Sequence, residues 1–259
     1  MDVVRVPVPV ETRSPDGLTN AYVIGRDSAL LIDPANRSLE LDELVRERDV
    51  QHVLATHTHN DHVGALAEYA RETDATVWAF GTSLDRFREA TGLEADRTLE
   101  AGTTISAGNW TVTILETPGH APDHLSFMLD DGSILCGDCV VAEGSVVVGA
   151  PAGDMRDYLD SLNRLRALDP PCLYPGHGPV IDHPVETLDR LISHRLKRER
   201  RVLEAVEAGA ETIDAILGSA YNKNLDGVRD LARATVVAHL EKLAADGRLE
   251  WDGERALPR

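Results

Sequence analysis

Seven consecutive residues, Thr56-His57-Thr58-His59-Asn60-Asp61-His62, place three imidazoles and a carboxylate within six positions. Such a loop must either desolvate these groups or let them repel one another when protonated. It is readily explained when a cation uses the lone pairs. Three later segments add donors of the same kind. His120 follows Pro118-Gly119, His177 stands in Pro175-Gly176-His177-Gly178, and Asp138 follows Cys136-Gly137. A lone histidine after a strand is more often a surface or core residue, and a lone Gly-Asp is usually a turn. Their occurrence together with the first loop reverses that reading. The candidate ligands are His57, His59, Asp61, His62, His120, Asp138 and His177, enough for two cations.

Imidazole mixed with carboxylate suits borderline metals, so two Zn(II) ions are expected, with manganese or iron as alternatives. Zinc lowers the pKa of bound water to about 7, which supplies hydroxide at neutral pH without a separate strong base. Metal chemistry of this kind serves carbonyl and phosphoryl centres alike. Cys139, beside Asp138, reads as a core residue rather than a nucleophile.

Rigid elements must present these donors. Met1 to Val10 reads as an edge strand, followed by a hairpin of Leu18 to Ile24 and Ala29 to Ile32. That second strand ends at Asp33, a candidate for supporting a ligand from behind. Ser38 to Arg48 reads as a capped helix, Gln51 to Ala55 as the strand that delivers the histidine loop, and Val63 to Thr73 as a helix. Ala75 to Phe80 and Ser83 to Thr91 continue the strand-helix alternation, so the first half is an α/β layer. From Thr103 the pattern changes to strands: Thr103 to Ser106, Trp110 to Glu116, Leu125 to Leu129 and Ser133 to Leu135. Turn signals separate them, which predicts an antiparallel portion. Met155 to Leu168 has helical spacing, and Cys172 to Tyr174 is a strand leading to His177.

The ordered pattern His-x-His-x-Asp-His, Pro-Gly-His, Gly-Asp, Gly-His-Gly resembles the metallo-β-lactamase superfamily over about Leu18 to Val180. The resemblance implies an α/β (α+β) fold, the αββα sandwich, with the site at one edge between two sheets. It also implies that His57, His59 and His120 hold one metal and that Asp61, His62 and His177 hold the second. Asp138 and a hydroxide would bridge the two, and catalysis would fall to Asp61 and His62 with that hydroxide. Penicillin-degrading members typically have Cys where this chain has Asp138, which argues against antibiotic hydrolysis.

Longer strings, Glu116 to His124, Cys136 to Cys139, Leu173 to Ile181 and Ile192 to Arg195, are similar to the lactamase-β-like protein 2 group. Its mitochondrial member is a single-strand endoribonuclease. The match weakens at Glu94 to Ala101 and beyond Ala208, where substrate loops would lie.

Asp123 and His124 are candidates for hydrogen bonds to a ligand imidazole, or for a turn-stabilising pair. His194 and Arg195 are candidates for substrate contact. For Arg195 a buried pair with Glu199 is the favoured reading, because both interrupt the apolar stripe of Leu188, Leu191, Ile192, Val202, Leu203 and Val206. The helix Pro184 to Ala208 reads as a linker, followed by helices at Thr212 to Leu217 and Val228 to Ala245 and a two-strand wing from Gly247. Residues 1–195 are thus expected to form the hydrolase domain, and 196–259 a linker helix with a small winged-helix-like domain.

Composition limits the partners. The 259 residues carry a formal net charge of -18, so long-range attraction for nucleic acid is poor unless basic groups cluster. Double-stranded DNA is not expected; a small molecule or single-stranded RNA is, and a homodimer is allowed. No apolar run reaches the roughly 18 residues of a membrane span. Three cysteines and the absence of a secretory pattern at the N-terminus suggest a cytoplasmic protein. Three activities remain: a dinuclear hydrolase acting on single-stranded RNA, a thioester or ester hydrolase resembling glyoxalase II, and a winged-helix binding protein with a structural metal.

Overall fold

In a computed structural model, residues 2–221 and 225–259 are described. The first position of the expected edge strand, Met1, lies outside them. Strands β1 (Val3–Pro9), β2 (Leu18–Ile24) and β3 (Ala29–Ile32) form an antiparallel meander, with β1 pairing only β2. Helix α1 (Leu39–Glu47), capped by the Ser38 hydroxyl on the Leu41 amide, crosses to β4 (Val50–Leu54), which lies parallel to β3. After α2 (Asn60–Val63) and α3 (Leu66–Thr73), parallel strand β5 (Thr76–Phe80) follows, then α4 (Leu84–Thr91) and β6 (Arg97–Leu99).

The expected Val63 to Thr73 helix is broken at Gly64-Ala65. The Ala65 amide turns to the Pro34 carbonyl at 2.9 Å, which anchors the ligand loop to the end of β3. Strand β6 falls inside a segment that gave no strand signal. It has three residues and buries only Leu99, too little for a period-2 pattern.

The second sheet contains β7 (Thr104–Ala107), β8 (Trp110–Glu116), β9 (Leu125–Leu129) and β10 (Ile134–Gly137), all antiparallel to their neighbours. Beyond α5 (Met155–Ala167), β11 (Leu173–Pro175) adds parallel to β10. Alternation along the strands assigns each residue to a layer. Tyr22, Ile24, Leu30, Ile32 and Leu54 face inward, against Ile105, Val112, Ile114, Phe127 and Leu135 of the second sheet. Their neighbours Val23, Leu31 and Val53 face outward beneath α1 and α3, in contact with Leu41, Leu66 and Tyr69. Ile134, Cys136 and Leu173 face α5 and α6 (Pro184–Glu207) on the opposite outer surface. The result is an αββα sandwich.

Helix α6 continues into a further apolar cluster. Val202, Val206, Ile216, Leu217, Val236, Leu240 and Leu249 join the end of α6 to α7 (Ile213–Ala220), α8 (Arg229–Ala245) and the hairpin of β12 (Leu249–Trp251) and β13 (Ala256–Pro258). Among the described residues no helix is long and apolar enough to cross a membrane.

Candidate metal centre

The C-terminal ends of β3, β4, β8, β10 and β11 open at one edge of the sandwich, and each releases a candidate donor or supporting residue. From β3 comes Asp33, from β4 the histidine loop, from β8 His120, from β10 Asp138 and from β11 His177. Gly119 permits the His120 turn: at φ +125°, a Cβ there would lie 2.2 Å from the Tyr158 amide nitrogen of α5.

On one side, His57 Nε2 lies 2.8 Å from His59 Nδ1, and His120 Nε2 lies 2.9 Å from the same atom. Three ring nitrogens therefore converge. On the other side, His177 Nε2 stands 3.7 Å from Asp61 Oδ2. Asp138 connects the two sets, lying 3.6 Å from His120 Nε2, 3.4 Å from His177 Nε2 and 3.4 Å from His62 Nε2. Donor atoms within the sets His57/His59/His120, His57/His62/Asp138 and Asp61/His62/His177 lie within 4.8 Å of one another.

The arrangement fits cations on a further ground. His62 Nε2 and Asp138 Oδ1 are buried without a hydrogen-bond partner, an arrangement that is costly unless something coordinates them. Four imidazoles are also fixed from behind. His62 Nδ1 faces Asp33 Oδ2 at 2.9 Å, His120 Nδ1 the Val147 carbonyl at 2.7 Å, and His177 Nδ1 the Leu18 carbonyl at 2.7 Å. His57 Nδ1 meets the Thr56 hydroxyl at 3.1 Å. When each Nδ1–H donates outward, its Nε2 lone pair points inward. His59 instead presents Nδ1 to the ring nitrogens of His57 and His120.

Charge divides the cluster. Burial, followed by the neighbouring imidazoles, pushes His57 well below the usual histidine range and His59 down to about 4, and burial also lowers His120. Burial opposes a charge on His62 as well, but Asp33 and Asp138 outweigh it and raise that group well above its ordinary value. Desolvation would raise Asp138, yet His62 and His177 hold it well below the carboxylate range.

Supporting residues surround the donors. Asp33, 1% exposed and at φ +51°, accepts from the Thr56 amide at 2.6 Å and the Thr56 hydroxyl at 2.8 Å, besides facing His62. Asp123 accepts from the Thr58 amide and hydroxyl and pairs with Arg86 at 3.1 Å. His124 Nε2 accepts from the Asp138 amide at 3.0 Å, while its Nδ1 meets the Thr117 hydroxyl. Burial, then His120, pushes His124 down to about 3, so its ring stays a neutral acceptor.

Several contributors carry no motif. Thr12 donates to Asp61 Oδ2 at 2.5 Å from an irregular loop, and Arg86 reaches Thr58 from α4. Asn20 donates to the Pro175 and Gly178 carbonyls, joined there by Tyr22 and Arg5. The alternation of β2, which sets Asn20 and Tyr22 on one face, is the only sequence signal that could have pointed to these last contacts. His194 is half-buried on α6. Arg195 is 2% exposed and makes no pair with Glu199, contrary to the favoured sequence reading. Its guanidinium donates to the Val146 carbonyl and lies over Tyr158, while Glu199 pairs with Lys242 at 3.0 Å on α8. Spacing along one helix could not reveal that the facing loop offers a carbonyl.

Comparison with known proteins settles the family. Residues 14–177, more than half of the chain, match the metallo-β-lactamase superfamily. The chain belongs to that superfamily. A β-lactamase-like protein 2 homologue of Caenorhabditis elegans is 30% identical over 242 residues, covering 90% of this chain and 80% of that one. An atrochrysone carboxyl ACP thioesterase of Aspergillus fumigatus is 27% identical over 257 residues, covering 90% of this chain and 58% of that one. Among solved structures, a metallo-β-lactamase family protein from Thermus thermophilus superposes with a TM-score of 0.81 at 23% identity, covering 99% of this chain and 98% of that chain. A second solved structure, described in a di-iron-bound form, is 30% identical, with a TM-score of 0.57, covering 70% of this chain and 96% of that one. This superfamily member is a metal-dependent hydrolase.

Proposed function

We propose that this chain is a dinuclear metallohydrolase that cleaves phosphodiester bonds in single-stranded RNA. The observation that carries the dinuclear part is Asp138, whose carboxylate lies within 3.6 Å of ring nitrogens from both donor sets. His57, His59 and His120 would hold one cation, and Asp61, His62 and His177 the other. The cations, when bound, supply Lewis acidity and a water acidified to a pKa of about 7, which serves attack at a phosphoryl or carbonyl centre. Zinc suits the donor set, with manganese or iron as alternatives. Asp33, Thr56 and the Val147 and Leu18 carbonyls keep the rings oriented. Asp123 accepts from the Thr58 amide and hydroxyl and Arg86 donates to that hydroxyl, which fixes Thr58 between two candidate donors.

The RNA reading draws on the resemblance to the lactamase-β-like protein 2 group, which extends over 90% of the chain and so beyond the donor-bearing strands. Residues 196–259 are read as a linker helix and winged-helix-like unit that walls the cleft. In support, the loop that donates Thr12 to Asp61 also sends Arg13 to Gly227 and Asp230 at the start of α8. Three free cysteines favour the cytoplasm.

A thioester or ester substrate is the second reading. Two observations favour it: a thioesterase relative also matches 90% of this chain, and a net charge of -18 opposes approach of a polyanion. Assaying labelled single-stranded RNA beside an acyl thioester, with His59→Ala as control, separates the two. RNA cleavage that disappears in His59→Ala supports the first reading. Thioester turnover without RNA cleavage replaces it with the second, and RNA cleavage unchanged in His59→Ala belongs to a contaminant.

A further inference from the structure

Arg195 is a buried cation with no carboxylate partner among its described contacts, and it sits on α6, outside the strands that carry the donors. Burying a guanidinium against a neutral carbonyl without a carboxylate costs free energy, and the contact fixes part of the chain. What it fixes is the segment between β10 and α5. Arg195 donates to the Val146 carbonyl and lies 5.2 Å from the Tyr158 ring centroid. The next carbonyl along the chain, Val147, receives His120 Nδ1 at 2.7 Å.

The same segment is held at two further places. Arg190, also on α6, donates to the carbonyls of Val141, Ala142 and Gly144. From α8, the Ala234 carbonyl accepts the Ala150 amide at 3.3 Å, and a Cβ on Gly149 would stand 2.7 Å from the Ala234 Cβ. A carbonyl that orients a ligand imidazole is thus set from one side by α6 and from the other by α8. His62 and His177 are oriented instead by Asp33 and by Leu18, in the first sheet.

We propose that Arg195 is a positioning residue for His120, through which the C-terminal helices set the affinity of one of the two cation sites. The inference rests on the dinuclear reading above. Groups behind a ligand imidazole typically change metal affinity by about 10–100-fold when removed. The other cation, held by groups oriented from the first sheet, is expected to be far less affected.

The test is titration of the metal-free full-length protein with Co(II) and Zn(II) against a chromophoric chelator, with the Co(II) d–d absorption recorded for each variant. In Arg195→Met one of two cations should weaken by about tenfold or more with a changed Co(II) band, while the second keeps its affinity. Arg195→Lys, which retains a donor, should recover part of the loss. Gly149→Ala, which presses the segment away from α8, should weaken the same cation; if Arg195→Met does not accumulate folded, this variant decides. Wild-type affinities and spectra in both Arg195→Met and Gly149→Ala overturn the inference. So does an equal loss of both cations accompanied by a lower melting temperature of the metal-free protein, which marks a merely structural role. Fewer than two cations in the wild type removes the dinuclear reading itself and the inference with it, an outcome distinct from two cations that the variants leave untouched.

Discussion

Asp138 lies where its carboxylate reaches ring nitrogens of both donor sets, and the groups around it hold it there. Its amide is received by His124, and one of its oxygens is buried without a hydrogen-bond partner. Asp33 plays the corresponding part for His62, accepting three contacts from Thr56 and the ring. Replacing Asp33 with Ala should weaken the cation held by His62 about 10–100-fold, read by chelator competition, while Asp33→Asn keeps part of the affinity. Equal affinity in wild type and Asp33→Ala would show that the His62 ring needs no such support. The seven candidate donors were legible as residue types in the segments that follow strands, and the structure brings them together. Thr12 and Arg86 were not, because a threonine in an irregular loop and an arginine on a short helix look the same whether or not they reach a site.

At the scale of elements, strand ends do the positioning, and β2 shows it most plainly. Leu18 receives His177, Asn20 ties down the Pro175 and Gly178 carbonyls, and Tyr22 adds a third bond. Asn20→Ala removes one buried and one part-buried hydrogen bond, so a loss of about 1–3 kcal/mol in urea unfolding is expected; no change would mean that other groups hold the turn. Helix packing supplies a pH-dependent contribution. His239, wholly buried on α8 and 3.8 Å from Glu199, has its pKa lowered chiefly by burial. The unfolded chain protonates this imidazole near pH 6.5. Below that pH the unfolded state binds more protons, so stability falls as pH drops toward the folded value. The difference in melting temperature between wild type and His239→Gln should therefore narrow as pH falls from about 7.5 to about 5.5, in line with a limiting slope of about 1.4 kcal/mol per pH unit. A constant difference would contradict the assignment. Periodicity gave the helices and most strands, since each buries a face of regular spacing. It could not give β6, which buries one side chain, or the break at Ala65, which depends on a carbonyl from a distant turn.

Considered as a whole, the molecule sets its candidate metal centre in an acidic body. With a net charge of -18, repulsion of RNA should be strongest at low salt, where the screening length exceeds the roughly 10 Å found at 0.1 M. The KM for RNA is expected to fall as salt rises from about 0.02 to about 0.2 M, whereas an uncharged thioester should show little change. A KM for RNA that rises over this range would point to a local basic surface that dominates the approach. The sandwich was legible from the order of strand-end donors and from the switch of periodicity after Thr103. The joining of the 141–150 segment to α6 and α8 was not, because it runs through carbonyls that every residue carries.

A two-cation centre can be counted. Protein reconstituted with Zn(II), freed of excess and analysed by elemental mass spectrometry should hold two ions per chain, and the His59→Ala variant about one. One ion or fewer in the wild type, or two in both proteins, would contradict it.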